Sequence, residues 1–228
     1  MLNIIHFLLR KIGFLKARYL KYKYQNILLS VEEIYKISEA INKRKACNYL
    51  VFGLGNDALL WLEVNRGGYT VFLENSQEWI DKFITKRNMR ELIYKITYTT
   101  RITQWRELLD CPEKLELKLP EEVINLKWDV ILVDAPMGGM MQDTAPESGA
   151  VIHGRMQSIY MAARLAGKGC TVFVHDTERV VEKTYCDKYF PKEKLTCEMG
   201  RGGWRKKSSL RCYELKIIIV CLWATACF

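Results

Sequence analysis

The run Asn48-Tyr49-Leu50-Val51-Phe52-Gly53-Leu54-Gly55-Asn56-Asp57 decides the fold. Tyr49 to Phe52 form a short apolar stretch stopped by a glycine, the pattern of a strand buried on both faces of a parallel sheet. Gly53 and Gly55 then allow a tight turn and a close approach of the backbone to a ligand. Ala58, Leu59, Leu60, Trp61 and Leu62 are helix formers, so a helix is predicted from near Asp57. Strand, Gly-x-Gly and helix, in that order, open a nucleotide-binding βαβ unit.

A second apolar strand, Thr70 to Leu73, ends at Glu74. An acid at this tip, about 20 residues beyond the glycines, can accept hydrogen bonds from both hydroxyls of a ribose, which suits NAD and S-adenosylmethionine alike. The competing reading is an ordinary βαβ turn with Glu74 as a solvated loop residue. A dinucleotide fingerprint carries its third glycine at the position of Ala58, a weak argument against a dinucleotide.

Before this unit, Val31, Ile34, Ile37 and Ile41 recur at helical spacing, with Ser30 as N-cap, predicting a helix over Val31–Lys43. Leu2 to Leu15 are apolar but broken by His6, Arg10 and Lys11, too short and too charged for a membrane span of about 20 residues. That segment reads as a shortened signal anchor or an amphipathic helix, followed by a basic, aromatic spacer over Tyr19–Gln25. After the unit, Ser76–Phe83 begins a helix and Ile93–Thr99 alternates as a third strand. Thr100–Leu119 is a connecting segment with a short helix expected at Gln104–Leu109, and another helical turn follows at Glu121–Asn125.

Trp128–Asp134 is the clearest later strand, and Ala135-Pro136-Met137-Gly138-Gly139 ends it. Arg155–Leu165 reads as a helix, Cys170–Val174 as a strand that stops at His175-Asp176, and Glu178–Phe190 as a helix. Leu195–Met199 and Ser209–Ile219 are expected to pair as an antiparallel hairpin. This alternation predicts an α/β, doubly wound, mostly parallel sheet ending in a hairpin, the plan of Rossmann-like S-adenosylmethionine-dependent methyltransferases. Ligands of such sheets sit outside the carboxyl ends of the strands, where Gly53, Glu74, Asp134 and His175 all fall.

The chain of 228 residues suits one domain with an extension, and 49% hydrophobic residues are enough for a sizeable core. The net charge of +9 gathers near the two ends of the sequence. It favours an anionic partner: nucleic acid, a membrane surface or an acidic polysaccharide. Eight cysteines without a Cys-x-x-Cys pair give no zinc pattern.

Taken together, the motifs resemble those of the plant glucuronoxylan 4-O-methyltransferase family, whose polysaccharide-biosynthesis domain is shared with the irregular-xylem proteins. The stretches are Asn48–Asp57, Gly68–Glu74 with Trp79, Trp128–Pro136, Gly154-Arg155-Met156 with Ile159-Tyr160, and Val172–Asp176 with Arg179. They follow in family order over residues 30 to 190. The resemblance implies methyl transfer from S-adenosylmethionine to a sugar hydroxyl, in one branch O4 of glucuronic acid on xylan, with glucuronoxylan as partner. It implies a Golgi location with a membrane anchor, and some divalent-metal dependence is possible. It divides the chain into an extension over 1–29, a methyltransferase-like domain over 30–216 and an apolar tail over 217–228. The sequence departs from the family's compact Ala-Pro-Gly-Arg-Met loop: Glu147–His153 separate Ala145-Pro146 from Gly154.

Within this reading Gly53, Gly55, Asp57, Glu74 and Asp134 are the expected cofactor-binding residues. Methyl transfer to an alcohol needs an aligned acceptor oxygen and a group that removes its proton. The expected catalytic residues are Asp134 first, then His175 and Asp176. A uronic acid carries a carboxylate, which a guanidinium grips with two parallel bonds. Arg155 is the first choice for that role and Arg179 the second, with Gly138 and His153 in the acceptor loop. No metal ligands are assigned, although Asp134, His175 and Asp176 could supply them. A non-catalytic protein of the same fold that supports xylan assembly is the alternative. An RNA methyltransferase is a third reading, but no aromatic RNA-reading motif accompanies the basic ends, and no nucleic-acid partner is expected.

Overall fold

The computed structural model describes residues 2–87, 92–138, 151–200 and 209–215. Seven strands run as β1 (Asn48–Phe52), β2 (Tyr69–Glu74), β3 (Ile93–Lys95), β4 (Val130–Val133), β5 (Thr171–His175), β6 (Leu195–Gly200) and β7 (Ser209–Glu214). They form one sheet in the order β3-β2-β1-β4-β5-β7-β6. The first five are parallel, and β7 lies antiparallel between β5 and β6. The α/β, mostly parallel sheet with a terminal hairpin is the expected Rossmann-like methyltransferase plan. The part of the hairpin expected beyond 215, and the tail over 217–228, lie outside the described residues.

Both faces of the central strands are covered, so the apolar runs are continuous rather than alternating. Tyr49, Val51, Phe72, Leu132 and Phe173 face one core, and Leu50, Phe52, Leu73, Val133 and Val174 face the other. The first core is closed by helices α1 (Leu2–Lys23), α2 (Val31–Asn42), α3 (Ala58–Val64) and α4 (Gln77–Arg87). The second is closed by α5 (Glu121–Asn125), α6 (Met156–Leu165), α7 (Val180–Tyr189) and the segment that leads from β3 to α5.

α2 begins as its sequence implies. The Ser30 hydroxyl accepts the N–H of Glu33 at 3.2 Å, and the Glu33 carboxylate accepts the N–H of Ser30 at 2.6 Å, a complete capping box. Ile34, Ile37 and Ile41 then point into the core, each stabilising the fold by about 1.5–3 kcal/mol on burial.

Three local expectations are corrected. Tyr19 to Lys23 continue α1 rather than forming a spacer, because Ala17 and Leu20 are buried and Gly13 lets the ring of Tyr35 approach. β3 stops at Lys95, opposite the last residue of β2. Ile96, Tyr98 and Thr100 still alternate inward, and the N–H of Ile96 still bonds the carbonyl of Glu74, but β2 offers nothing further to pair with. The short helix expected at Gln104–Leu109 is instead a series of 3-10 turns at Ile102–Gln104, Glu107–Asp110 and Pro112–Leu115. There Trp105, Leu108 and Leu115 are buried, so packing sets the path. Among the described residues no helix is long and apolar enough to cross a membrane.

Candidate active site

The strand order reverses between β1 and β4, and the crevice at their carboxyl ends is where ligands of such sheets bind. Gly53 follows β1 with a φ of +119°, and a Cβ there would lie 2.9 Å from the Cβ of Ala135, just beyond β4. At Gly55 a Cβ would meet Oδ1 of Asp57 at 2.7 Å. At Gly53 only glycine suits both the φ and the space, and at Gly55 a side chain would require the Asp57 carboxylate to shift.

Glu74 is buried, which removes the reading of a solvated loop residue. Its Oε2 accepts the N–H of Leu54 at 2.8 Å, and its Oε1 accepts those of Asn75 at 2.8 Å and Ser76 at 2.6 Å. Three of roughly four lone-pair positions on the carboxylate are thus occupied. The acid ties the glycine turn to the tip of β2 and keeps capacity for about one further donor such as a ribose hydroxyl. The glycines, which leave the backbone uncovered, and Glu74, with its remaining lone pair, are compatible with the ribose of a nucleoside ligand at this turn.

Asp57 lies half-buried at the start of α3 and accepts the indole N–H of Trp61 at 2.7 Å. Burial, joined by the nearby Asp134 charge, pushes its carboxyl up to about 6.

Beyond β4 and β5 the structure brings Asp134, Arg155, His175, Asp176 and Arg179 together. Nδ1 of His175 lies 2.9 Å from Oδ1 of Asp134 and 3.6 Å from Oδ1 of Asp176. Asp176 has a φ of +61°, a left-handed conformation seldom adopted by residues other than glycine and found at functional sites. Arg179 donates through Nη2 to Oδ2 of Asp176 at 2.8 Å and through Nη1 to the carbonyl of Met137 at 3.0 Å. Gly138, with a φ of +63°, lies against it: a Cβ there would be 2.8 Å from Nη1 of Arg179.

The expected role of Arg155 is corrected. Its side chain is 3% exposed and faces inward. Nε donates to the carbonyl of Pro136 at 3.0 Å and Nη1 to that of His175 at 2.8 Å. Nη2 lies 3.2 Å from Asp134 and 3.0 Å from Asp176. Four of its five N–H groups are engaged within the protein, so it braces the loops after β4 and β5. Arg179, at 32% exposed, is the more open cation.

His175 is corrected in the same way. Its side chain is 5% exposed: Nδ1 meets Asp134, and Nε2 is buried, 3.6 Å from Oε1 of Glu33, so the ring is set back from the open surface. Burial disfavours its charge, but Asp134 outweighs burial and raises its pKa. Burial likewise works against the charge of Asp134, and His175 with Arg155 outweighs it and holds the carboxyl below the ordinary carboxylate range. Both His175 and Arg155 approach Oδ1 of Asp134, so among the described contacts its Oδ2 remains open.

His153 is not part of this cluster. Nδ1 lies 2.7 Å from the carbonyl of Thr100, and the ring packs beside Tyr98. Most of the acceptor loop, 139–150, lies outside the described residues.

Asp134, His175 and Asp176 each offer one donor atom, all within 4.8 Å of one another. Two carboxylates and an imidazole suit a divalent ion in kind. Nη2 of Arg155, within 3.2 Å of both carboxylates, already supplies compensating charge, so an ion there requires Arg155 to give up a pair.

Sequence reasoning missed Glu33. Its carboxylate completes the capping box with Ser30, and its Oε1 also lies 3.6 Å from Nε2 of His175. Glu182, buried without a hydrogen-bond partner, lies 3.8 Å from Nη1 of Arg179, and burial raises its pKa.

Comparison with known proteins agrees with this architecture. A cofactor-bound structure titled Rv0187 from MTB covers 90% of this chain and 88% of its own, with a TM-score of 0.53 and 13% identity, a likeness of fold. The chain is 36% identical over 190 residues to glucuronoxylan 4-O-methyltransferase 1 of Arabidopsis thaliana, covering 72% of this chain and 64% of that protein. It is 33% identical over 198 residues to arabinogalactan O-methyltransferase 2 of the same plant, covering 75% and 64%. Protein IRREGULAR XYLEM 15 of Arabidopsis thaliana is 33% identical over 195 residues, covering 73% and 57%. The chain thus spans less than two thirds of the length of these relatives. The family model described as IRX15/IRX15L/GXM matches residues 32–118 and 110–204. This chain belongs to the IRX15/IRX15L/GXM family.

Proposed function

We propose that this chain is an S-adenosylmethionine-dependent O-methyltransferase acting on O4 of glucuronic acid side chains of xylan. The observation that carries the reading is Asp134: its Oδ1 is held by His175 and Arg155, its side chain is 26% exposed, and it follows the strand beside the glycine turn. S-adenosylmethionine supplies an electrophilic methyl carbon on a sulfonium, a good leaving group. Gly53, Gly55 and the Glu74-tethered turn receive its nucleoside, and Asp57 lies beside them. Asp134 accepts a hydrogen bond from the acceptor hydroxyl through Oδ2 and takes its proton as the oxygen–carbon bond forms. Arg179 has N–H groups left to grip the uronic acid's carboxylate, and Gly138 keeps the approach to it open.

The relatives named for glucuronoxylan and arabinogalactan methylation support a uronic-acid-bearing polymer as the acceptor. A second reading, support of xylan synthesis without turnover, is favoured by the similarity to Protein IRREGULAR XYLEM 15. The Golgi location implied by the resemblance belongs to the same proposal, and a tagged chain imaged beside a Golgi marker tests it.

The acceptor is tested by offering methyl-labelled S-adenosylmethionine with glucuronic-acid-substituted xylan oligosaccharides, arabinogalactan and RNA side by side. Label on the xylan uronic acid is expected. Label on arabinogalactan alone replaces the acceptor, and cofactor binding without label on any of them supports the second reading.

A further inference from the structure

Glu33 reaches the site from outside the βαβ alternation. It occupies the third position of α2, and its side chain is 2% exposed. Its two oxygens face different neighbours: Oε2 accepts the N–H of Ser30 at 2.6 Å, and Oε1 lies 3.6 Å from Nε2 of His175. Nε2 is itself buried and has no partner within hydrogen-bonding distance, and Oε1 of Glu33, at 3.6 Å, is the carboxylate atom that the structure places beside that edge of the ring. On the opposite edge Nδ1 meets Asp134 at 2.9 Å, with Asp176 at 3.6 Å.

A carboxylate is costly to bury unless it finds donors. The cap serves one oxygen of Glu33, and the start of a helix favours negative charge there. The other oxygen is turned to the imidazole. A ring with a carboxylate beside each edge favours the orientation that keeps both, the hydrogen bond of Nδ1 to Asp134 and the longer ionic contact of Nε2 with Glu33. Rotating it about its bond to the backbone would lose both contacts together.

We propose that Glu33 is a positioning residue of the active site: it holds the Nε2 edge of His175, so that the Nδ1 edge stays on Asp134 and aims the Asp134 carboxylate at the acceptor. The cap of α2 thereby becomes part of the catalytic apparatus, although no atom of it touches a substrate. This inference rests on the methyl-transfer reading for its kinetic consequence, but not for its structural one.

The test uses the full chain with Glu33→Gln, Glu33→Ala and Ser30→Ala. The sequence has 3 histidines, His6, His153 and His175, so ring proton–nitrogen correlation spectra are simple, and His175→Asn assigns the third ring. In the unaltered protein His175 is expected to show a protonated Nε2 in a single ring environment. Glu33→Ala is expected to shift and broaden that signal, while Glu33→Gln, whose amide oxygen can still accept, restores most of it. Ser30→Ala removes the side-chain cap but keeps the backbone N–H that holds Glu33. It should lower the melting temperature and leave the His175 signal unmoved, which separates positioning from mere helix stability.

In parallel, Glu33→Ala should lower kcat about tenfold or more, as for a disturbed proton acceptor. Its affinity for S-adenosylmethionine, measured by calorimetry, should fall much less than kcat, because the described contacts of Glu33 go to Ser30 and His175. Unchanged His175 signals in Glu33→Ala overturn the proposal whether or not turnover is found. Absence of turnover in the unaltered protein counts against the methyl-transfer reading instead, and the ring spectra still decide the role of Glu33.

Discussion

Glu74, at the tip of β2, accepts the backbone N–H of Leu54 between the two glycines, 2.8 Å away. One carboxylate thus fixes the turn at which the cofactor is proposed to bind and retains about one lone pair. Glu74→Ala should leave three backbone N–H groups without their acceptor and weaken S-adenosylmethionine binding by about tenfold or more, since hydrogen bonds to a charged group contribute about 1.5–3 kcal/mol each. Calorimetric titration with S-adenosylmethionine measures it. Glu74→Gln, which keeps an acceptor oxygen, should lose less.

Arg155 joins two carboxylates and two carbonyls in a buried position. Arg155→Met removes the buried cation that Asp134 and Asp176 share, leaving them His175 and Arg179 respectively, and should cost about 3 kcal/mol of stability. Arg155→Lys should not restore it, because a point ammonium cannot span the same acceptors. Urea unfolding of the three proteins checks the order. Had Arg155 been an acceptor ligand, these variants would retain stability and raise KM alone.

Gly53→Ala combines a φ of +119° with a Cβ placed 2.9 Å from that of Ala135. The backbone term alone is about 1–3 kcal/mol, and the β1 and β4 tips must part to admit the methyl group. Lower stability together with weaker S-adenosylmethionine binding is the expected result, read from thermal unfolding with and without the ligand.

Asp57 supplies a pH signature. Its folded pKa of about 6 lies above the ordinary value of about 3.9, so the folded state binds this proton more tightly than the unfolded state. The stability it contributes is therefore present below about pH 4 and is lost as pH rises toward about 6. Asp57→Asn, which can still accept the indole N–H of Trp61, should flatten that decline. Urea midpoints across the window, compared between the two proteins, measure the difference.

The sheet was legible because its signals are local. Tyr49–Phe52, Thr70–Leu73 and Val130–Val133 are apolar runs ended by a glycine or an acid, and burial on both faces makes such runs strands. The same logic located the tips that carry Glu74, Asp134 and His175. The tasks of the arginines were not legible, because Arg155 and Arg179 have the same chemistry and differ only in which way the fold turns them. Arg155 is consumed by carbonyls 19 and 20 residues away in sequence. Glu33 was not legible because it lies on α2, outside the strand tips, and nothing local points to a histidine on β5. β3 was read too long because the alternation of Ile96, Tyr98 and Thr100 reports burial and not a pairing partner.

The most direct test of the account is methyl transfer by the unaltered chain and by Asp134→Asn, with S-adenosylmethionine affinity measured for both. The account predicts label on the glucuronic acid of xylan oligosaccharides, a loss of about 10²–10⁴-fold in kcat for the variant, and cofactor binding retained in each. Asp134→Asn that turns over like the unaltered chain, or an unaltered chain that fails to bind S-adenosylmethionine, would contradict it.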